Sequence, residues 1–355
     1  MKINELRAIL EKNKLDFALF YNLGMETNPN MFYFSGYNGL GALVIPKKHK
    51  PFLIVPEMEF QKAKKSMVRQ VYSMDKKRFF ESIFATLKKN NIKSKKIAID
   101  NNNFTLNSYK HFKKQFKKSR TNDIALECLK LRQIKTMKEI KTIKKAFNYG
   151  NKILNKTIKN FKDFKKESEV AAFLEYETKK LGLMLSFPPI VASGNNSSIP
   201  HYELGNVKLK KGFCVIDFGV KYNGYCTDIT RTIYLGKINN KEKQIYNFLL
   251  DIQKNIIKKI KINGNCGKIY EDCVKRLKDY SKYFIHGLGH GVGVEIHELP
   301  NLTLKSKDKI VGNMIFTIEP GIYIPRKFGI RIEDTVLMGK KLNVLTKVAK
   351  DLLIV

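Results

Sequence analysis

The stretch Val215-Ile216-Asp217-Phe218-Gly219-Val220-Lys221-Tyr222-Asn223-Gly224-Tyr225-Cys226-Thr227-Asp228-Ile229-Thr230-Arg231 reads as two β-strands around an Asn-Gly turn. Asn-Gly between β-rich runs is the strongest short hairpin signal, because both residues accept the positive φ of a two-residue turn. Such a turn sets Gly219 opposite Asp228, and Asp217 lies two residues along on the same face. The two carboxylates become diagonal neighbours, with Cβ atoms about 7 Å apart. Side chains reaching from that spacing can hold two metal ions about 3.5–4 Å apart. A solvated surface hairpin is the alternative. It sits badly with the apolar Cys214-Val215-Ile216 before Asp217 and with Phe218 after it, since a buried carboxylate without a partner is costly.

Further along runs Phe284-Ile285-His286-Gly287-Leu288-Gly289-His290-Gly291-Val292-Gly293-Val294-Glu295-Ile296-His297-Glu298. Three His stand among four Gly, which let a backbone or ligand approach closely. No third Gly falls where a dinucleotide fingerprint requires it. Gly at alternate positions also argues against a helix carrying two zinc-binding His. His49 and His111, by contrast, sit in Lys-rich surface stretches.

Two more carboxylates lie inside apolar strand candidates, Glu319 in Phe316-Thr317-Ile318-Glu319-Pro320-Gly321 and Glu333 in Gly329-Ile330-Arg331-Ile332-Glu333-Asp334-Thr335-Val336. Period-two alternation puts Arg331, Glu333 and Thr335 on one face and Ile330, Ile332 and Asp334 on the other. Asp217, Asp228, one His, Glu319 and Glu333 make an oxygen-rich donor set that suits Mn²⁺, Co²⁺ or Fe²⁺ and admits Zn²⁺. A water bridging two such ions would ionise near neutral pH and act as a nucleophile.

Residues 1–125 alternate helical and strand patterns, with a helix over Ile3–Leu15, strands at Asp16–Phe20, Gly41–Pro46, Pro51–Val55 and Lys96–Asp100, and a helix over Phe79–Asn90. Met31–Phe34 reads as a lead into the turn-rich segment Ser35–Gly39. This is an α/β domain without a catalytic cluster. The domain boundary is expected near 125. Leu131, Ile134, Met137, Ile140, Ile143 and Phe147 then recur at helical spacing, predicting one long amphipathic helix, and Ser168–Leu181 predicts another with Ser168 as N-cap.

The chain carries 67 Lys and Arg against 32 Asp and Glu, a net charge of +35. The excess is spread along the chain and is mostly Lys, whereas specific nucleic-acid contacts favour the planar fork of Arg. We therefore read it as a solvated surface and do not expect nucleic acid as a partner. No apolar run approaches the roughly 18 residues of a membrane span. Met1-Lys2-Ile3-Asn4-Glu5-Leu6-Arg7 carries charges where a signal peptide would be apolar. Five Cys show no pairing pattern, which suits the reducing cytoplasm.

These segments resemble the pita-bread metallopeptidases, a family that includes Xaa-Pro aminopeptidase (aminopeptidase P), prolidase and methionine aminopeptidase, with creatinase as a non-metal relative. The resemblance covers essentially the whole chain. It implies an α/β (α+β) protein with a creatinase-like N-terminal α/β domain, 1–125, and a pita-bread catalytic domain, 126–355. It implies two divalent ions, with Mn²⁺ foremost. Asp217 would bind one, His290 and Glu319 the other, with Asp228 and Glu333 bridging and Glu319 also acting as general base. Ala192-Ser193-Gly194-Asn195-Asn196-Ser197-Ser198-Ile199-Pro200-His201-Tyr202 looks like a motif of the Pro-specific branch. His201 would then stabilise the tetrahedral intermediate or shuttle a proton, His297 would contact the substrate carbonyl, His286 would line the proline pocket, and Arg331 would orient a metal-bound group. The expected reaction is hydrolysis of the Xaa-Pro bond at peptide N-termini by a metal-bridging hydroxide. Xaa-Pro dipeptidase is the alternative, methionine aminopeptidase and a non-catalytic binding relative less favoured. Arg326 is a candidate for the carboxylate a dipeptidase must recognise. The family resemblance also implies a homodimer.

Overall fold

The computed structural model describes residues 2–24, 27–74 and 78–355, and the chain divides into two compact units, Met1–Leu131 and Arg132–Val355.

In the first unit, the described residues form a six-stranded mixed sheet in the order Gln70–Ser73, Phe52–Val55, Gly41–Pro46, Phe17–Asn22, Lys96–Ile99, Arg120–Asp123. The central strands Phe17–Asn22 and Gly41–Pro46 are buried throughout, as a sheet covered on both faces requires. One face packs Leu6, Leu10, Phe34 and Leu53; the other packs Phe80, Ile83, Leu87 and Phe112. The lead into the turn at Ser35 proves to be a helix, Pro29–Ser35. Asn28 caps it by accepting from Met31 N, and Pro29 supplies the preset φ of a first helical residue.

The helix expected to run unbroken through Ile134 and Met137 is two helices, Ala125–Gln133 and Met137–Lys159. Thr136 begins the second by accepting from Glu139 N, while the Glu139 carboxylate accepts from Thr136 N. Lys135, in the break, is 1% exposed and pairs with Glu298 at 3.1 Å. Local periodicity is blind to that burial. Ser168 is likewise not the cap of its helix, Glu167–Lys180; Glu169 closes that end by accepting from Lys165 N and Lys166 N.

The hairpin has the expected register. Tyr222 faces Tyr225 and Lys221 faces Cys226, and the pairing continues to Asp217 opposite Thr230. Asn223 and Gly224 take φ of 48° and 80°, the two positive values of the predicted turn. The strand Gly212–Phe218 lies between Ile229–Leu235 and Ile190–Ser193 and pairs with both. A second sheet runs Glu298–Leu302, Gly289–Gly291, Ile315–Ile318, Asp334–Met338, Leu342–Val344. Gly321–Ile324 and Phe328–Arg331 form a separate hairpin. The chain thus changes sheets between Arg331 and Asp334, where one continuous strand was expected. The alternation of sides survives that break.

Candidate metal centre

Each predicted carboxylate is presented by a sheet element of the second unit. Asp217 is the penultimate residue of the strand Gly212–Phe218, and Asp228 precedes its partner Ile229–Leu235. His290 lies in Gly289–Gly291, a neighbour of Ile315–Ile318, which Glu319 follows. A Cβ on Gly289 would stand 2.0 Å from the Thr317 carbonyl oxygen, so Gly is required for His290 to come this close.

The side chains converge. Donor atoms of Asp228, His290 and Glu333 lie within 4.8 Å of one another. His290 Nε2 stands 3.5 Å from Asp228 Oδ2 and 3.4 Å from Glu319 Oε1. Its Nδ1 lies 3.1 Å from the Gly291 carbonyl oxygen, which can only accept, so the proton belongs on Nδ1 and the Nε2 lone pair faces the carboxylates. His290 N donates to Thr317 Oγ1, which donates to Glu319 Oε1. Thr230 Oγ1 donates to Glu333 Oε2 at 2.7 Å, and Arg331 Nη2 donates to Asp217 Oδ2 at 2.6 Å. Among the described residues, Glu333 forms no salt bridge with a neighbouring Arg. The ion pair goes to Asp334, which meets Arg231 at 2.8 Å and Lys350 at 2.6 Å on the opposite side of the chain.

The electrostatics follow from this crowding. Burial pushes the Asp228 carboxyl well above the usual range, and the charges of Glu333, Asp217 and Glu319 push it further. Glu333 is raised by burial and by Glu319 and Asp217. Burial likewise raises Glu319, though His286 and Arg331 oppose it. Burial lowers His290 and favours the neutral imidazole, the form that binds metal.

The donor set fits divalent ions on a second observation. Asp217 Oδ1, Asp228 Oδ1 and Glu333 Oε1 are buried and make no hydrogen bond. Buried polar atoms are nearly always satisfied, so three orphaned carboxylate oxygens in one cluster call for a cation.

The remaining predicted residues ring this centre. The His297 ring, though exposed, stands 4.2 Å from that of His290. His286 Nδ1 donates to the Gly287 carbonyl, and its Nε2 accepts from Tyr323 OH at 3.0 Å, while Arg331 Nη1 donates to the same hydroxyl at 2.8 Å. His201 is exposed after Pro200, whose carbonyl accepts from Arg331 Nη1, within electrostatic reach of His286 and His297. Tyr323, Thr230 and Thr317 were not singled out from sequence. Their hydroxyls lie within or beside the ligand strands, where alternation with the acids was the available signal.

Residues 141–340 match the metallopeptidase family M24, and residues 2–134 match the creatinase/prolidase N-terminal domain. The chain belongs to metallopeptidase family M24. It has the pita-bread catalytic domain and the creatinase-like α/β domain expected of it, and M24 membership implies divalent metal ions. It is 34% identical to the Xaa-Pro dipeptidase of Pyrococcus furiosus, over 99% of each chain. Among solved structures it resembles the prolidase of Pyrococcus horikoshii OT3 (33% identity, TM-score 0.89, 99% of each chain). It also resembles the X-Pro aminopeptidase of Thermotoga maritima MSB8 (29%, TM-score 0.89, covering 97% and 99%). No helix among the described residues is long and apolar enough to cross a membrane.

Proposed function

We propose that this M24 metallopeptidase is an Xaa-Pro dipeptidase, a prolidase, that holds two divalent ions, Mn²⁺ foremost, through Asp217, Asp228, His290, Glu319 and Glu333. The carrying observation is the convergence of the Asp228 and Glu333 carboxylates with His290, in a cluster where Asp217, Asp228 and Glu333 each keep one buried oxygen without a hydrogen-bond partner. The Pyrococcus relatives, named Xaa-Pro dipeptidase at 34% identity, reverse the preference for aminopeptidase drawn from the sequence. Aminopeptidase remains the second reading because of the Thermotoga structure. A homodimer in the cytoplasm completes the proposal, and the buried free thiols of all five Cys suit that compartment.

When bound, the ions supply Lewis-acid polarisation of the scissile carbonyl and activation of water. Glu319, its affinity for protons raised by burial, takes the proton from the attacking water. Arg331 holds Asp217 in place through Nη2. His297 donates to the substrate carbonyl oxygen. His201 delivers a proton toward the leaving nitrogen, which carries no N–H because it belongs to Pro. His286, steadied by Tyr323, lines the pocket for the pyrrolidine ring.

Arg326, exposed at the turn between Gly321–Ile324 and Phe328–Arg331, is the residue we assign to recognition of the free carboxylate of a dipeptide. Comparing kcat/KM for Xaa-Pro and Xaa-Pro-Xaa peptides with Mn²⁺ tests the proposal. Dipeptides are expected to be preferred, and Arg326→Ala to raise KM for them. Equal or better cleavage of tripeptides would restore the aminopeptidase reading.

A further inference from the structure

Beside the metal centre lies a second buried ionic cluster that the chemistry above does not use. Glu298 is 3% exposed and Arg132 and Lys135 are each 1% exposed. Lys135 Nζ donates to Glu298 Oε2 at 3.1 Å, and Arg132 Nε lies 3.4 Å from Oε1. Arg132 also pairs with Glu295. Two cations outweigh the cost of burial and hold Glu298 below the usual carboxylate range.

The same carboxylate grips the backbone. Glu298 Oε1 accepts from Val294 N at 3.0 Å and from Glu295 N at 3.3 Å. A Cβ on Gly293 would fall 2.3 Å from Glu298 Oε2, so the carboxylate rests directly on that glycine. The far side of the turn is tied down as well, since Cys226 N donates to the Gly293 carbonyl at 2.7 Å. Residues 293–298 are therefore folded around one buried anion, and His297 is the exposed residue this loop presents.

His290 is secured by other means. Its backbone N–H goes to Thr317 Oγ1, and Val292 N goes to the Ile315 carbonyl. The clamp thus bears most directly on the loop that carries His297, while His290 is held chiefly by the neighbouring strand and meets the loop through the backbone of Ile296.

We propose that Glu298, set by Arg132 and Lys135, is a positioning residue for His297: it fixes the loop so that the imidazole stands beside His290, ready to donate to the substrate carbonyl. This rests on the proposed peptidase reading. A Lys135→Met, Glu298→Gln double variant removes one charge of each sign and guards against misfolding from an unpaired buried cation. With an Ala-Pro dipeptide, Glu298→Gln, alone or in that charge-balanced form, should lower kcat/KM by roughly 10- to 100-fold, as losing an orienting partner does in related sites. In a His297→Ala background the same change should cost less than about 3-fold, because interacting residues are not additive. Mn²⁺ affinity by titration calorimetry should stay within about 3-fold of wild type. The His297 ring signals in ¹⁵N-histidine spectra of the metal-free protein should shift by more than those of His290, which the neighbouring strand also holds. An equal loss in both backgrounds, a loss of Mn²⁺ binding, or an unmoved His297 signal would overturn the proposal. If the wild-type protein cleaves no Xaa-Pro peptide, the functional reading fails, while the spectra still decide the positioning.

Discussion

Loading the candidate centre with metal should stabilise the catalytic unit by an amount that depends on Asp228. At a free Mn²⁺ concentration 100 times Kd, binding confined to the native state adds about 2.7 kcal/mol. The unit Arg132–Val355 has about 220 residues, and at about 2.1 cal/mol/K per residue its unfolding entropy is about 0.5 kcal/mol/K. The melting temperature of that unit should then rise by about 6 °C. Differential scanning fluorimetry of chelator-treated protein with and without Mn²⁺ measures this, and Asp228→Asn should abolish the rise.

The pH dependence has a definite sign. Asp228, Glu319 and Glu333 have raised values in the folded protein, chiefly through burial. Below their unfolded values both states hold these protons and nothing is lost. As pH rises toward and through the raised folded values, the unfolded chain releases protons first, and the metal-free native state loses stability. Metal binding needs those groups ionised, so its stabilisation grows over the same window. Metal-free Asp228→Asn should therefore melt above metal-free wild type at neutral pH and converge with it in acid, each unit of pKa shift corresponding to about 1.4 kcal/mol. A Mn²⁺ shift of the same size in Asp228→Asn, or a metal-free variant less stable than wild type at neutral pH, would refute the reasoning.

His201→Ala should lose activity on Xaa-Pro peptides yet bind Mn²⁺ as wild type does, measured by calorimetry; loss of metal would mean the ligand set is misassigned. Asp334→Asn leaves Arg231 and Lys350 facing a neutral side chain in the interior, and should cost about 3–5 kcal/mol in urea unfolding, as breaking buried pairs does.

Much of the centre was legible because its elements are specified locally. The Asn-Gly turn fixes the register, and the register fixes the common face of Asp217 and Asp228. The break at Lys135 was not legible, because Ile134 and Met137 continue the helical spacing while the cause is an ion pair with Glu298, 163 residues away. Glu333 and Asp334 make the same point at closer range. Alternation separates their faces, but nothing beside Asp334 announces Arg231, Gln253 or Lys350 as its partners.

The +35 charge invites the thought that surplus Lys could neutralise the acidic cluster from afar. Screening forbids it, since exposed charges beyond about 8 Å count for little at physiological salt. Compensation has to come from cations in contact. Arg331 meets Asp217, but one guanidinium against four carboxylates leaves Asp228, Glu319 and Glu333 repelling one another in a buried pocket. Asp334 and Glu298 show what this chain does when an acid is meant to be structural: each is given two buried or half-buried basic partners and falls below the usual carboxylate range. The contrast between acids supplied with protein cations and acids left short of them is the physical ground on which Asp217, Asp228, Glu319 and Glu333 are proposed as metal ligands.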